Sequence, residues 1–243
     1  MAANLRVVLS RKGFDTGSGG APSPIVSGRP ISLPIPTRRR SVTTYADLGL
    51  GEHVEKVTRG KIARDHLCHE DPMFTGGQCI FGQCGAAQSH LRNQCVGIGD
   101  VFLFFGLFSH ESTGERHHRI FGFLRVKEVG SPSSMPSLNK LARSHPHTLG
   151  EWNENNSVYL GEGGVALTAH DALRLTQPGG PLRHWIVPNW LGPAGLSFHG
   201  KSERWLASDR LEIVARGQEF VADVRDDIVA RDWVENVIRI IQS

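Results

Sequence analysis

Residues 65–71 of this 243-residue chain carry Asp65, His69 and Asp71, two carboxylates and an imidazole on one short polar stretch. Groups of these types held together can pass a proton between an acid and a base. They can equally hold a divalent metal such as Mg²⁺ or Mn²⁺, the candidate cofactor that carboxylate oxygens suit. A solvated loop closed by the Asp71-Pro72 turn accounts for the same residues without chemistry.

A second set stands near the start. Arg11, Lys12 and Asp15 follow directly on the apolar run Leu5 to Leu9 and precede Gly17, Gly19 and Gly20. Glycines allow close backbone approach, and basic side chains beside free N–H groups make an anion cradle. The order of residues is neither a Walker loop nor the G-x-G-x-x-G of a dinucleotide fold. An ordinary glycine-rich turn after an edge strand is the competing reading.

Three further groups carry hydrogen-bonding or stacking capacity. Gln83, Gln88 and His90 sit among small residues, where amides can read a base edge or simply satisfy a core. Arg216, Gln218 and Glu219 place a guanidinium, an amide and a carboxylate together; the arginine suits phosphate or an ordinary ion pair. His145-Pro146-His147 and Trp185 to Trp190 are loop candidates for substrate contact, although tryptophans also serve as core anchors. Cys68, Cys79, Cys84 and Cys95, with His66, His69 and His90, raise structural zinc. Only Cys79 and Cys84 meet the paired spacing such sites use, so the cysteines read as unligated thiols.

The elements that must position these groups follow from patterning. Leu5 to Leu9 reads as a strand. Residues 20–41 are proline-rich, hence an extended edge or hairpin. Residues 53–59 predict a brief helix or strand, and Phe81 to Leu91 a short helix. Val101 to Phe105 is too apolar for a half-exposed strand. With Ile120 to Val129 it predicts a hairpin. Residues 131–150 predict a surface excursion, Val158–Leu160 and Val165–Leu167 two short strands joined by glycines, and residues 212–224 a strand or turn. Val229, Trp233, Val237, Ile240 and Ile241 recur at helical spacing, predicting an amphipathic helix packed on the sheet.

Composition narrows the class. Hydrophobic residues make up 39% and charged residues 21%, enough for a real core, and a net charge of +3 argues against a sequence-blind DNA binder. No apolar run approaches the ~20 residues that span a bilayer. No secretory signal is legible, and the four cysteines fit a reducing compartment. A cytoplasmic protein, without a membrane partner, is expected. Residues 1–243 read as a single domain.

Phe14-Asp15, Pro22 to Ile25, Leu33 to Pro36, Phe81-Gly82-Gln83, Gly85 to Leu91, Gly99 to Gly106 and Arg216 to Val221 occur in this order across most of the chain. Together they resemble the nucleotide modification-associated domain 3 family of bacteria and phages. The resemblance implies an α+β domain, linked by context to systems that install altered nucleotides in DNA, and it names no reaction. The sheet is expected to be mixed or barrel-like. Residues 99–129 are also loosely similar to the barrel hairpin of PUA-like domains, which include readers of modified bases.

Two functions follow as expectations. The first is an enzyme acting on a nucleotide or on DNA bases, in a modification or defence setting and in company with other DNA-modification proteins. Asp15, Asp65 and His69 would supply acid–base chemistry. Arg11, Lys12 and Arg216 would hold phosphate, and Gln83, Gln88, His90, Gln218 and Glu219 would orient the base. The second is a non-catalytic reader that binds a modified base through the hairpin.

Overall fold

The apolar run from Val101 to Phe105 is buried on both faces, as a strand of that composition should be. In the computed structural model, which describes residues 4–215 and 219–243, it opens strand Val101–His110 of a nine-stranded mixed sheet. The main path runs Glu219–Arg225, Leu5–Arg11, Val101–His110, Arg116–Gly130, Ser157–Val165, Gln78–Gln83, Met73–Thr75. Leu5–Arg11 is parallel to Val101–His110, with Arg11 opposite Phe105. The remaining pairs on the path are antiparallel. Ser23–Val26 takes over the same edge of Val101–His110 further on, with Ser23 opposite Phe108.

Alternation along the strands makes two cores. Val7, Leu9, Leu103 and Phe105 face Trp185 and the helix Ile228–Gln242. Val8, Phe102 and Phe104 face Phe81, Tyr159 and Leu91 on the other side. The sheet curls around this second core, and helix Gly85–Asn93 packs against Glu219–Arg225. No ladder joins Glu219–Arg225 to Gln78–Gln83 among the described residues, so the α+β fold is an open, curled sheet and not a closed barrel.

Several local expectations shift. Ser157–Val165 is one continuous strand, not two joined by glycines. Its glycines serve close approach: a Cβ on Gly161 would lie 1.9 Å from the Arg125 carbonyl oxygen, and one on Gly163 2.3 Å from Cys79 Cβ. The Phe81 to Leu91 segment is divided, strand Gln78–Gln83 then helix Gly85–Asn93. Residues 53–59 resolve into helix Gly51–Thr58.

The terminal helix is capped by Asp227, whose carboxylate accepts from Ala230 N at 3.1 Å. It buries Ala230, Val234, Val237, Ile238 and Ile241 while Val229 stays 67% exposed, so the stripe is rotated from the expected phase. Residues 131–150 form short 3-10 turns that bury His145 and His147. No helix among the described residues is long and apolar enough to cross a membrane.

Candidate functional site

Leu5–Arg11 leaves the sheet edge at Lys12, whose N–H still donates to the Phe105 carbonyl at 2.8 Å. Gly13, at φ +78°, then turns the chain away. Asp15 closes the loop: its Oδ1 accepts from Gly17 N at 2.7 Å and Ser18 N at 2.6 Å. The chain rejoins the edge only at Ser23. Below this break lies a cavity of about 230 Å³, lined by Arg11, Lys12, Asp15, His69, Asp71, Gln83, Cys84, His147 and Trp152. Against the roughly 300–1,000 Å³ of ordinary ligand pockets, it is small.

Asp71 is the floor of the cavity. Its Oδ1 accepts from Gly82 N at 2.9 Å and faces His145 Nε2 at 3.2 Å. His145 Nδ1 accepts from His147 N at 3.2 Å, which leaves the Nε2 proton to donate to Asp71. Oδ2 points the other way, 3.7 Å from His69 Nε2 and 3.9 Å from His147 Nε2. Burial alone would raise the Asp71 carboxyl. The hydrogen bond from His145 and the other imidazoles gathered around it win, holding the carboxyl well below the ordinary carboxylate range.

His147 is equally constrained. Asn156 Nδ2 donates to the His147 carbonyl at 2.9 Å, so its Oδ1, at 2.6 Å, accepts from ring Nδ1. The Nε2 lone pair is therefore turned towards Asp71 Oδ2. Burial is the main cause that lowers the imidazole to about 4, keeping it neutral near pH 7. The ring stacks on Trp152, centroids 4.0 Å apart, and Trp152 in turn carries Arg40 over its face at 4.2 Å. The ring also presses on Gly82, where a Cβ would lie 2.2 Å from His147 Cγ.

The wall opposite is ionic. Lys12 Nζ donates to Glu219 Oε1 at 3.1 Å, and Gln83 Nε2 donates to the same oxygen at 2.8 Å. Lys12 also sits over the Phe81 ring at 4.3 Å. Glu219 is buried, and its Oε2 has no hydrogen-bond partner among the described residues. Arg11 reaches the Ala215 carbonyl at 3.3 Å, its guanidinium pKa lowered by burial and partly restored by Asp15.

Residues 6–223 match the model of a family described as nucleotide modification associated domain 3. The chain belongs to this family. No curated protein and no solved structure matches it.

In this family member the cavity unites much of what the sequence singled out: Arg11, Lys12, Asp15, His69 and Gln83 line it, and Glu219 stands behind its wall. Asp65 does not reach it. That side chain is 86% exposed on the surface, 3.9 Å from His66. Gln88 faces the inner core, accepting from the Tyr159 hydroxyl at 3.1 Å. His90 contacts Ser197 Oγ at 3.0 Å and lies tilted against the Phe198 ring. Arg216 and Gln218 lie outside the described residues.

Asp71 and His147 are functional candidates that the residues expected for an enzyme did not include. Asp71 stands near Asp65 in sequence, and the chain brings it to His147 instead. The only local signal for His147 was the His145-Pro146-His147 loop itself; Asn156 and Trp152, which orient the ring, carry none. The cysteines do not converge on a common ligand site among the described residues. Cys68 and Cys79 are buried thiols, Cys68 pushed up to about 12 by burial, as expected of small buried hydrophobes.

Proposed function

We propose that the protein is an enzyme that modifies a nucleotide or a base in DNA within this cavity. The observation that carries the reading is the convergence, in one small concave site, of cations, carboxylates and a neutral imidazole on different elements. Arg11 and Lys12 serve the phosphate side, Gln83 meets a base edge, and Asp15 supplies proton transfer beside a reacting centre at His69 and Asp71. Family membership supports a role in nucleotide modification. A cytoplasmic setting, in bacterial or phage modification and defence beside other DNA-modification proteins, accords with the same reading.

A reader acting through the 99–129 hairpin draws less support, because Phe102, Phe104, Phe105, Phe108 and Phe123 are all buried in the two cores. The test is mass spectrometry of nucleosides from DNA and free nucleotides incubated with the protein and cell extract. A mass-shifted or released base, absent with His147→Ala, is expected. Unaltered nucleosides together with saturable binding of modified DNA would replace the enzyme with the reader.

A further inference from the structure

The geometry points to a transition-metal site: His69 Nε2, Asp71 Oδ2 and His147 Nε2 bind one divalent first-row ion and leave its remaining positions open to the cavity. The three ligand atoms lie within 4.8 Å of one another. The carboxylate oxygen is 3.7 and 3.9 Å from the two imidazole nitrogens. Ligands of a tetrahedral ion with ~2.1 Å bonds stand roughly 3.4 Å apart, so small side-chain rotations close the site.

At the observed separations these atoms are too far apart to hydrogen-bond with each other. In Asp71 and His147 the other polar atom of the side chain is engaged. Asp71 Oδ1 takes Gly82 N and His145 Nε2, and His147 Nδ1 takes Asn156 Oδ1. Metal ligands are oriented by outer hydrogen bonds of this kind, which fix the tautomer and aim the free lone pair. Two nearby cations are used elsewhere, Lys12 on Glu219 and Arg143 on Glu70. Among the described residues Asp71 pairs only with histidines, and a buried carboxylate calls for a cation or its equivalent.

The donor set selects the ion. Two imidazoles with one carboxylate suit Zn²⁺, Fe²⁺ or Co²⁺, whereas Mg²⁺ prefers oxygen ligands and keeps its waters. The Mg²⁺ reading of the Asp65, His69, Asp71 stretch therefore gives way to a transition ion held by a different trio. The open positions face Arg11, Lys12 and Gln83 across the cavity, where an anionic or amide-bearing group would meet the ion.

Tag-free protein, stripped with a chelator and dialysed, is titrated with Co²⁺ by visible absorption and calorimetry, with Mg²⁺ in parallel. One Co²⁺ per chain with d–d bands, displaced by Zn²⁺ and not by Mg²⁺, is expected. His69→Ala and His147→Ala each weaken Co²⁺ binding by at least roughly 100-fold, beyond the loss from removing an outer partner. Asp65→Asn leaves it unchanged. His69 is the less buried ligand, so His69→Ala, with its fold checked by circular dichroism, decides the matter if His147→Ala does not fold. Absence of stoichiometric binding of Co²⁺ and Zn²⁺, or undiminished binding in His69→Ala, overturns the site. The readout needs no substrate, so its failure leaves the nucleotide reading standing, and the converse also holds.

Discussion

Gln83 Nε2 donates to Glu219 Oε1 at 2.8 Å, although their strands are separated along the sheet path by four others. Lys12 Nζ meets the same oxygen at 3.1 Å. One buried carboxylate thus holds the curl of the sheet and the wall of the cavity together.

Removing that carboxylate strands a largely buried ammonium, the Lys12 and Glu219 side chains being only 10% and 1% exposed. Glu219→Ala is expected to cost about 3–5 kcal/mol, as for other buried pairs broken from one side. Replacing both partners, Lys12→Met with Glu219→Leu, should recover most of the loss. Urea unfolding of the single and double variants measures it; equal losses would show that the pair is not the source.

Gly82→Ala places a methyl group 2.2 Å from His147 Cγ, so the ring must move off its Asn156 partner. A stability loss of about 1–3 kcal/mol is expected from overpacking. A drop of about 10–100-fold in Co²⁺ affinity should accompany it, as for other lost orienting contacts. Unchanged Co²⁺ binding in a folded Gly82→Ala protein would separate the ring position from the site.

Besides His147, acid sensitivity should come from His117 and His118. Burial, reinforced by neighbouring arginines, lowers them from 6.5 to about 3 and about 4 respectively. The unfolded chain therefore binds protons that the folded chain refuses. The stabilisation is complete above about pH 6.5 and is lost as pH falls towards the folded values, at most ~1.4 kcal/mol per unit for each histidine. Urea midpoints should decline from pH 7 to pH 5, less steeply in His117→Asn. A flat profile would mean that neither imidazole is held neutral.

Cys84 lines the cavity, Cys95 is exposed, and Cys68 and Cys79 are buried. Burial raises the Cys84 thiol, so iodoacetamide should label Cys95 first and Cys84 more slowly. A nucleotide that occupies the cavity should protect Cys84 and leave Cys95 unaffected, as followed by peptide mass mapping. Equal protection of both would place the nucleotide elsewhere.

Much of the scaffold was legible because burial writes itself into local pattern. An unbroken apolar run such as Val101 to Phe105 has no solvated face to offer, so it must be central. Helical spacing after Asp227 required a helix, although the flanking Ile228 and Val229, apolar yet exposed, blurred its phase. Gly161 and Gly163 misled for a physical reason. Glycine is chosen for turns and for close approach alike, and only the distance to Arg125 and Cys79 tells which.

By itself the sequence determined the chemistry on offer: cations and an acid after the first strand, imidazoles and carboxylates near residue 70, an amide at Gln83 and an acid at Glu219. It also determined the family, through short motifs kept in order. Only the tertiary structure decided which of these groups share a cavity. Asp65 and Asp71 are close in sequence, yet one faces solvent and the other is enclosed by His69, His145 and His147. Sheet curvature and the folding-back of residues 131–150 set those distances, and both arise from packing between segments far apart in the chain, which no local pattern encodes.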